Sequence, residues 1–205
     1  MRSRALGLGL GVVLGLGGCA EPEGVGSIRA QRLNRVHYAN SLRDLTGVAP
    51  ALLGQLPADE PGLGFDTMAE LLTVSPLLLE LLERITEEAV TAALGPEGPL
   101  RAELVPCDAD AIGGRACARE VIAGFVPRAW RRPITPAEEA ALLELYDAGE
   151  ELGLGFDGAV GLVLQSTLLS PNFLFRVERR AAAGEGSARL DGVELAARLS
   201  YFLWS

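Results

Sequence analysis

Residues 117–139, CAREVIAGFVPRAWRRPITPAEE, constrain the fold more than any other stretch of the chain. Pro127 has no backbone N–H and clashes with the preceding turn, so it stops or kinks a helix arriving from about residue 114. A few residues on, Thr135, Pro136 and Glu138 stand at N-cap, N1 and N3 of a second helix. This is a capping box, with proline in the one helical position that tolerates it. Between the two helices Arg128, Trp130, Arg131 and Arg132 crowd a short corner. Such a corner commits the surrounding chain to helix-on-helix packing.

The same punctuation recurs along the sequence. Asn34 is the expected N-cap of a helix over 35–46, with Tyr38, Leu42 and Leu45 on one face and Gly47 closing it. Residues 48–66 hold three prolines and three glycines and read as a long loop. Ser75-Pro76 opens a helix through Leu94, closed by Gly95-Pro96. Its stripe of Leu78, Leu82, Ile85, Ala89 and Ala92, widened by Leu77 and Leu81, suits a helix at the centre of a bundle. A loop over 95–113 leads to the helix carrying Cys117, Val121 and Phe125. After the corner, Leu142, Leu145 and Tyr146 point inward. Gly153–Gly155 break the chain, and Phe156–Leu169 is helical through Val160, Val163, Leu164, Thr167 and Leu168 until Ser170-Pro171. Phe173–Val177 alternates as a strand would but equally suits a helical turn. Asp191 and Glu194 form a second capping box, for a helix over 192–204 with Leu195, Leu199, Phe202 and Leu203 on it.

These signals give an all-α fold: an irregular bundle of about six helices with long loops. Hydrophobic residues are 49% of the chain and aromatics only 5%, which suits a Leu/Ala/Val-packed core. Two internal echoes, GLGFD at 62–66 and 153–157 and RLNRVHYANSL against RLDGVELAARL, are best read as shared helix-start grammar rather than duplication.

The N-terminus adds a cellular address. Arg2 and Arg4 precede a short apolar run, Ala5–Gly18, and a helix that crosses a bilayer needs about 20 residues. Leu16-Gly17-Gly18-Cys19 matches the bacterial lipobox, in which cleavage before the cysteine frees a thiol for diacylglycerol. Several acyl chains on Cys19 suffice for stable anchoring. The expected organisation is therefore a signal peptide at 1–18 and a lipidated tether at 19–27. A helical module over 28–106, a central helical module over 107–188 and the start of a further domain at 189–205 follow. The last helix has no stop signal, so the chain is expected to continue. With Cys19 acylated, Cys107 and Cys117 remain, and an oxidising compartment favours a disulfide between them over two buried free thiols.

Net charge is −9, an acidity that repels nucleic acid. The one histidine, His37, stands at N3 of the first helix, where a surface or capping role is expected. It makes neither a His-based metal site nor a catalytic triad. Asp108, Asp110 and Gly113 imitate the start of a calcium loop, but Ile112 and Arg119 occupy positions that need oxygen ligands. Asp59, Glu60 and Asp66 form an acidic loop, read as solvated charge in preference to a cation site. No phosphate-binding, dinucleotide-binding, nucleophile-elbow or haem-attachment motif occurs, so neither cofactor nor metal is expected. The Arg128–Arg132 cluster offers an anion or polysaccharide contact. In the plainer reading Trp130 packs, while the arginines cap helix carbonyls and pair with carboxylates.

With these residues set out, RLNRVHYANSLRDLTG (32–47), GFDTMAELLTVSP (64–76), CARE…RAWRRPITPAEE (117–139), LLSPNFLFRVE (168–178) and LDGVELAARLSYFLW (190–204) resemble one family in its own order. It comprises secreted planctomycete and myxobacterial proteins built from consecutive domains of unknown function, catalogued as 1587, 1595 and 1592. The resemblance implies a helical, exported protein, often associated with c-type cytochrome domains. It implies no catalytic residue. His37 replaces the acidic residue usual at its position.

The expected function is a lipid-anchored, non-catalytic helical module for assembly or binding at the periplasmic or outer-membrane face of the cell envelope. Its partners would be envelope proteins, polysaccharides or periplasmic cytochromes. The alternative is part of a hydrolase or carbohydrate-active enzyme using carboxylates such as Asp59, Glu60 or Asp66.

Overall fold

The computed structural model describes residues 30–59, 73–176 and 190–203. The leader, Cys19 and its tether, Glu60, the first GLGFD copy with Asp66, and Trp204 lie outside the described residues. The fold is all-α, with two short strands β1 (Gln31–Arg32) and β2 (Phe175–Arg176) paired antiparallel.

Local signals place most helices where their caps stand. Helix α1 (Arg35–Thr46) begins at Asn34, whose side chain accepts the His37 N–H, and ends at Gly47 in the left-handed conformation, φ 72°. At Gly47 a Cβ would also meet Pro99 Cγ at 2.8 Å, so only glycine fits. A 3-10 turn over Ala51–Gln55 interrupts the expected loop, and α2 (Pro76–Leu94) is capped by Ser75. Two single-turn helices, α3 (Arg101–Leu104) and α4 (Ala109–Ile112), occupy what the glycines and prolines of 95–113 suggested was loop.

Of the two expectations for Pro127, a stop is corrected: helix α5 (Gly114–Trp130) runs through the proline to Trp130. The ring removes one N–H, but the Pro127 carbonyl accepts from the N–H groups of Arg131 and Arg132, and Arg131 closes the helix at φ 55°. The turn beyond the proline is therefore held from its far side. Helix α6 (Pro136–Glu151) starts with both hydrogen bonds of the capping box in place. Helices α7 (Gly155–Leu169) and α8 (Pro171–Leu174) follow, and α9 (Gly192–Leu203) starts from the Asp191–Glu194 box.

The centre of the bundle is α7, not α2. Helix α7 packs against α2, α5, α6 and α8. Its small residues permit this: a Cβ at Gly149 on α6 would fall 2.9 Å from Ala159 Cα and Cβ on α7. Helix α2 turns its charged side, with Glu80, Glu83 and Glu87, outward. Leu77 and Ala92, counted into its stripe, are exposed, while Thr86, Val90 and Ala93 take buried places. One apolar cluster runs from Leu33 to Leu174. Cys107 and Cys117 are bridged, with Cα atoms 5.6 Å apart, which ties the α4 approach to the buried face of α5.

Of the FLFRV stretch, Phe173–Arg176 resolve into both readings, and Val177 lies outside the described residues. Phe173 and Leu174 complete α8, and Phe175-Arg176 pair with β1. The Leu33 N–H extends that pairing by donating to the Leu174 carbonyl at 2.8 Å.

Candidate functional site

The arginine-rich corner folds inward. Trp130 is buried and its indole Nε1 donates to the Thr167 carbonyl at 3.2 Å, joining α5 to the end of α7. Arg131 reaches the C-terminal end of α8. Its Nη2 donates to the carbonyls of Asn172, Phe173 and Phe175, the groups a short helix leaves unpaired. Its Nη1 donates to the Tyr201 hydroxyl at 2.8 Å. Among the described residues no carboxylate pairs with this guanidinium, and burial lowers its pKa below the usual arginine value while the Tyr201 contact acts against that. Arg132 lies over the Trp130 ring and forms a two-pronged ion pair with Glu138, at 3.0 and 2.7 Å. That hydrogen bond, reinforced by the Thr135 N–H, holds the Glu138 carboxyl down at about 2.

Arg128 differs. It is exposed, makes no hydrogen bond or ion pair among the described residues, and lines a groove of about 250 Å³ between α1, α5 and α9. Tyr201 of α9 also lines this groove. Its hydroxyl also lies 3.1 Å from Ser41 Oγ, and its ring is flanked by His37 at 4.9 Å and by the guanidiniums of Arg131 and Arg176. The expected surface position of His37 is thus corrected: its backbone does sit in the cap, but the ring is buried against Tyr201. Sequence reading placed Tyr201 on an apolar helix and missed this clamp, because its partners lie up to 160 residues away.

The acidic loop is likewise corrected at the one position described. Asp59 is not a solvated charge. Its Oδ1 pairs with Arg32 at 2.7 Å, with side-chain exposures of 8% and 12% for the two residues, and its Oδ2 accepts the Arg35 N–H at 2.6 Å. One carboxylate thus neutralises a half-buried guanidinium and satisfies a first-turn amide of α1. Asp108 serves as N-cap of α4, accepting from Asp110 and Ala111. Among the described residues no group of three or more His, Cys, Asp or Glu is placed to hold a metal ion.

Beside Asp59 lies a second cavity, of about 300 Å³, walled by Leu33, Leu56, Leu78 and Leu82 and by the polar residues Arg32 and Tyr38. Tyr38 is 3% exposed and touches Phe173 edge-on. Its hydroxyl has no hydrogen-bond partner among the described residues, and burial pushes the phenol well above its usual pKa. Arg32 Nε is likewise buried without a partner among the described residues, although Nη1 and Nη2 of the same guanidinium are engaged.

Two stretches of the chain match family models. Residues 31–95 match PSD3, Protein of unknown function (DUF1587). Residues 117–178 match PSD5, Protein of unknown function (DUF1595). No curated protein matches the chain. No solved structure matches it either.

Proposed function

From a chain that carries these two families in consecutive order, we propose an exported helical module, anchored to a membrane by lipid on Cys19, that serves binding or assembly in the cell envelope and performs no catalysis itself. Its partners are envelope proteins, polysaccharides or periplasmic cytochromes. The observation that carries this reading is what the conspicuous charges do. Asp59, Glu138, Arg131 and Arg132 each spend their hydrogen bonds on the chain itself. Acid–base catalysis of glycoside cleavage needs a carboxyl free to exchange a proton with substrate. Asp59 instead has one oxygen on a guanidinium and the other on a helix amide. The Cys107–Cys117 bridge supports export, since such bonds persist in oxidising compartments. Arg128, exposed and lining its groove with Arg131, is the contact point proposed, with the neighbouring Trp130 and Arg132 of the corner, for an anionic or polysaccharide partner.

The test is an assay of the full-length protein on envelope and plant polysaccharides, wild type against Asp59→Asn, Glu60→Gln and Asp66→Asn, with melting temperatures in parallel. No turnover in any of them, together with a lowered Tm for Asp59→Asn, is the expected result. Turnover abolished by one substitution at unchanged Tm would overturn the non-catalytic reading.

A further inference from the structure

Helix α9 meets the rest of the chain through an inserted tyrosine. None of its residues is buried, and among the described residues Tyr201 is the one residue of α9 that packs against the apolar core. The socket that receives it is built from α1, α5 and β2. Arg131 Nη1 donates to the Tyr201 hydroxyl at 2.8 Å, and Ser41 Oγ shares a hydrogen bond with the same oxygen at 3.1 Å. The guanidiniums of Arg131 and Arg176 lie 5.6 and 5.7 Å from the ring centroid, and the His37 ring 4.9 Å from it. A guanidinium near an aromatic face is attracted by the ring quadrupole, and a charged donor makes a stronger hydrogen bond than a neutral one. The socket thus recognises a phenol twice, by its ring and by its hydroxyl.

The walls of this socket are held by contacts that do not involve α9. The Arg131 N–H donates to the Pro127 carbonyl, its Nη2 is bound to the carbonyls of Asn172, Phe173 and Phe175, and its guanidinium lies over the buried Phe173 ring. Arg176 belongs to the β1–β2 pair and donates to Gln31. His37 and Ser41 stand on α1, which is fixed by its own Asn34 cap and by the buried Tyr38, Leu42 and Leu45. A seat fixed by the core and a helix with no buried residue differ in local stability, so the helix can lift away while the seat stays formed. We propose that α9 is a detachable strap, latched by inserting Tyr201 into a phenol socket that the body keeps formed without it. Ala197, Ser200 and Tyr201 belong to the lining of the groove that carries Arg128, so release of α9 takes away part of that lining. The strap therefore controls the shape of the contact proposed above, and the latch does not depend on what Arg128 binds.

Hydrogen exchange of the full-length protein in non-ionic detergent, read by mass spectrometry, tests the strap, and calorimetric titration with phenol tests the socket. Tyr201→Phe keeps the ring and removes the hydroxyl. The α9 amides should then exchange about tenfold faster, the equivalent of one charge-assisted hydrogen bond, while those of α5 and α7 keep their wild-type rates. Tyr201→Ala empties the whole socket, and phenol, the group that the truncation removes, should bind this variant with a Kd on the order of 1 mM. Cyclohexanol, which keeps a hydroxyl but has no π face, should bind it at least about fivefold more weakly. Wild type, with its socket filled, should bind phenol at least about tenfold more weakly than the variant does. Unchanged exchange of α5 and α7 in Tyr201→Ala supports a body that folds without the latch. Lost protection of α5 and α7 in either variant would overturn the proposal, because α9 would then be part of the body. So would α9 exchange unchanged in Tyr201→Phe, no phenol binding to Tyr201→Ala, or equal binding of phenol and cyclohexanol.

Discussion

Asp59 shows how a single residue here can resemble catalytic equipment and be structural. In the sequence it stands in an acidic, proline- and glycine-rich loop, yet it holds a guanidinium and a helix amide at once. Removing it as Asp59→Ala leaves Arg32 half-buried without its counterion, and a loss of about 3 kcal/mol is expected in denaturant unfolding. A change below about 0.5 kcal/mol would mean that the pair is only a surface contact. Glu138 is the corresponding case at the corner. Its folded pKa, about 2, lies below the ordinary carboxylate value, so its contribution is present at neutral pH and lost as pH falls from about 4.5 toward 2. The carboxylate is partly exposed, so the effect is on the order of 1 kcal/mol after screening. Glu138→Gln should flatten stability over that window relative to wild type, measured by Tm against pH.

At the scale of elements, close packing and caps make different demands, and glycine substitutions separate them. Gly149→Ala places a methyl 2.9 Å from Ala159 Cα across the α6–α7 contact and should cost about 1–3 kcal/mol. Gly124→Ala, mid-helix on α5 with nothing near its Cβ, should stabilise by about 0.4–1 kcal/mol. Equal effects from the two would contradict the packing described. Helix starts were legible in the sequence because a cap is decided within three residues: Asn34, Ser75, Thr135 and Asp191 all mark real N-termini. What escaped was decided at a distance. Pro127 does not end α5, because its carbonyl accepts from two amides beyond it. The central place of α7 depends on small residues meeting across helices, which no single-helix stripe reveals. The cavity beside Asp59, lined by residues from Arg32 to Leu174, and the Tyr201 clamp are each built from segments far apart in the chain, so no local pattern announces them.

For the whole molecule, the disulfide and the exposed face of α9 have separable consequences. Closing a loop of this length by a bridge contributes roughly 2–3 kcal/mol, so Cys107→Ala/Cys117→Ala should lower Tm by roughly 5–10 °C. Helix α9 is held by Tyr201, yet Leu195, Leu199, Phe202 and Leu203 are exposed, Phe202 by 79%. An apolar row of this kind favours association, so Phe202→Ser should reduce self-association of the 205-residue chain in light scattering. The central claim is export with a lipid anchor, and intact-mass analysis of the protein taken from its native host tests it most directly. The account expects a chain that begins at a multiply acylated Cys19 and is two hydrogens lighter than its reduced form, from the Cys107–Cys117 bridge. A chain that retains Met1, or an unmodified Cys19, would contradict it.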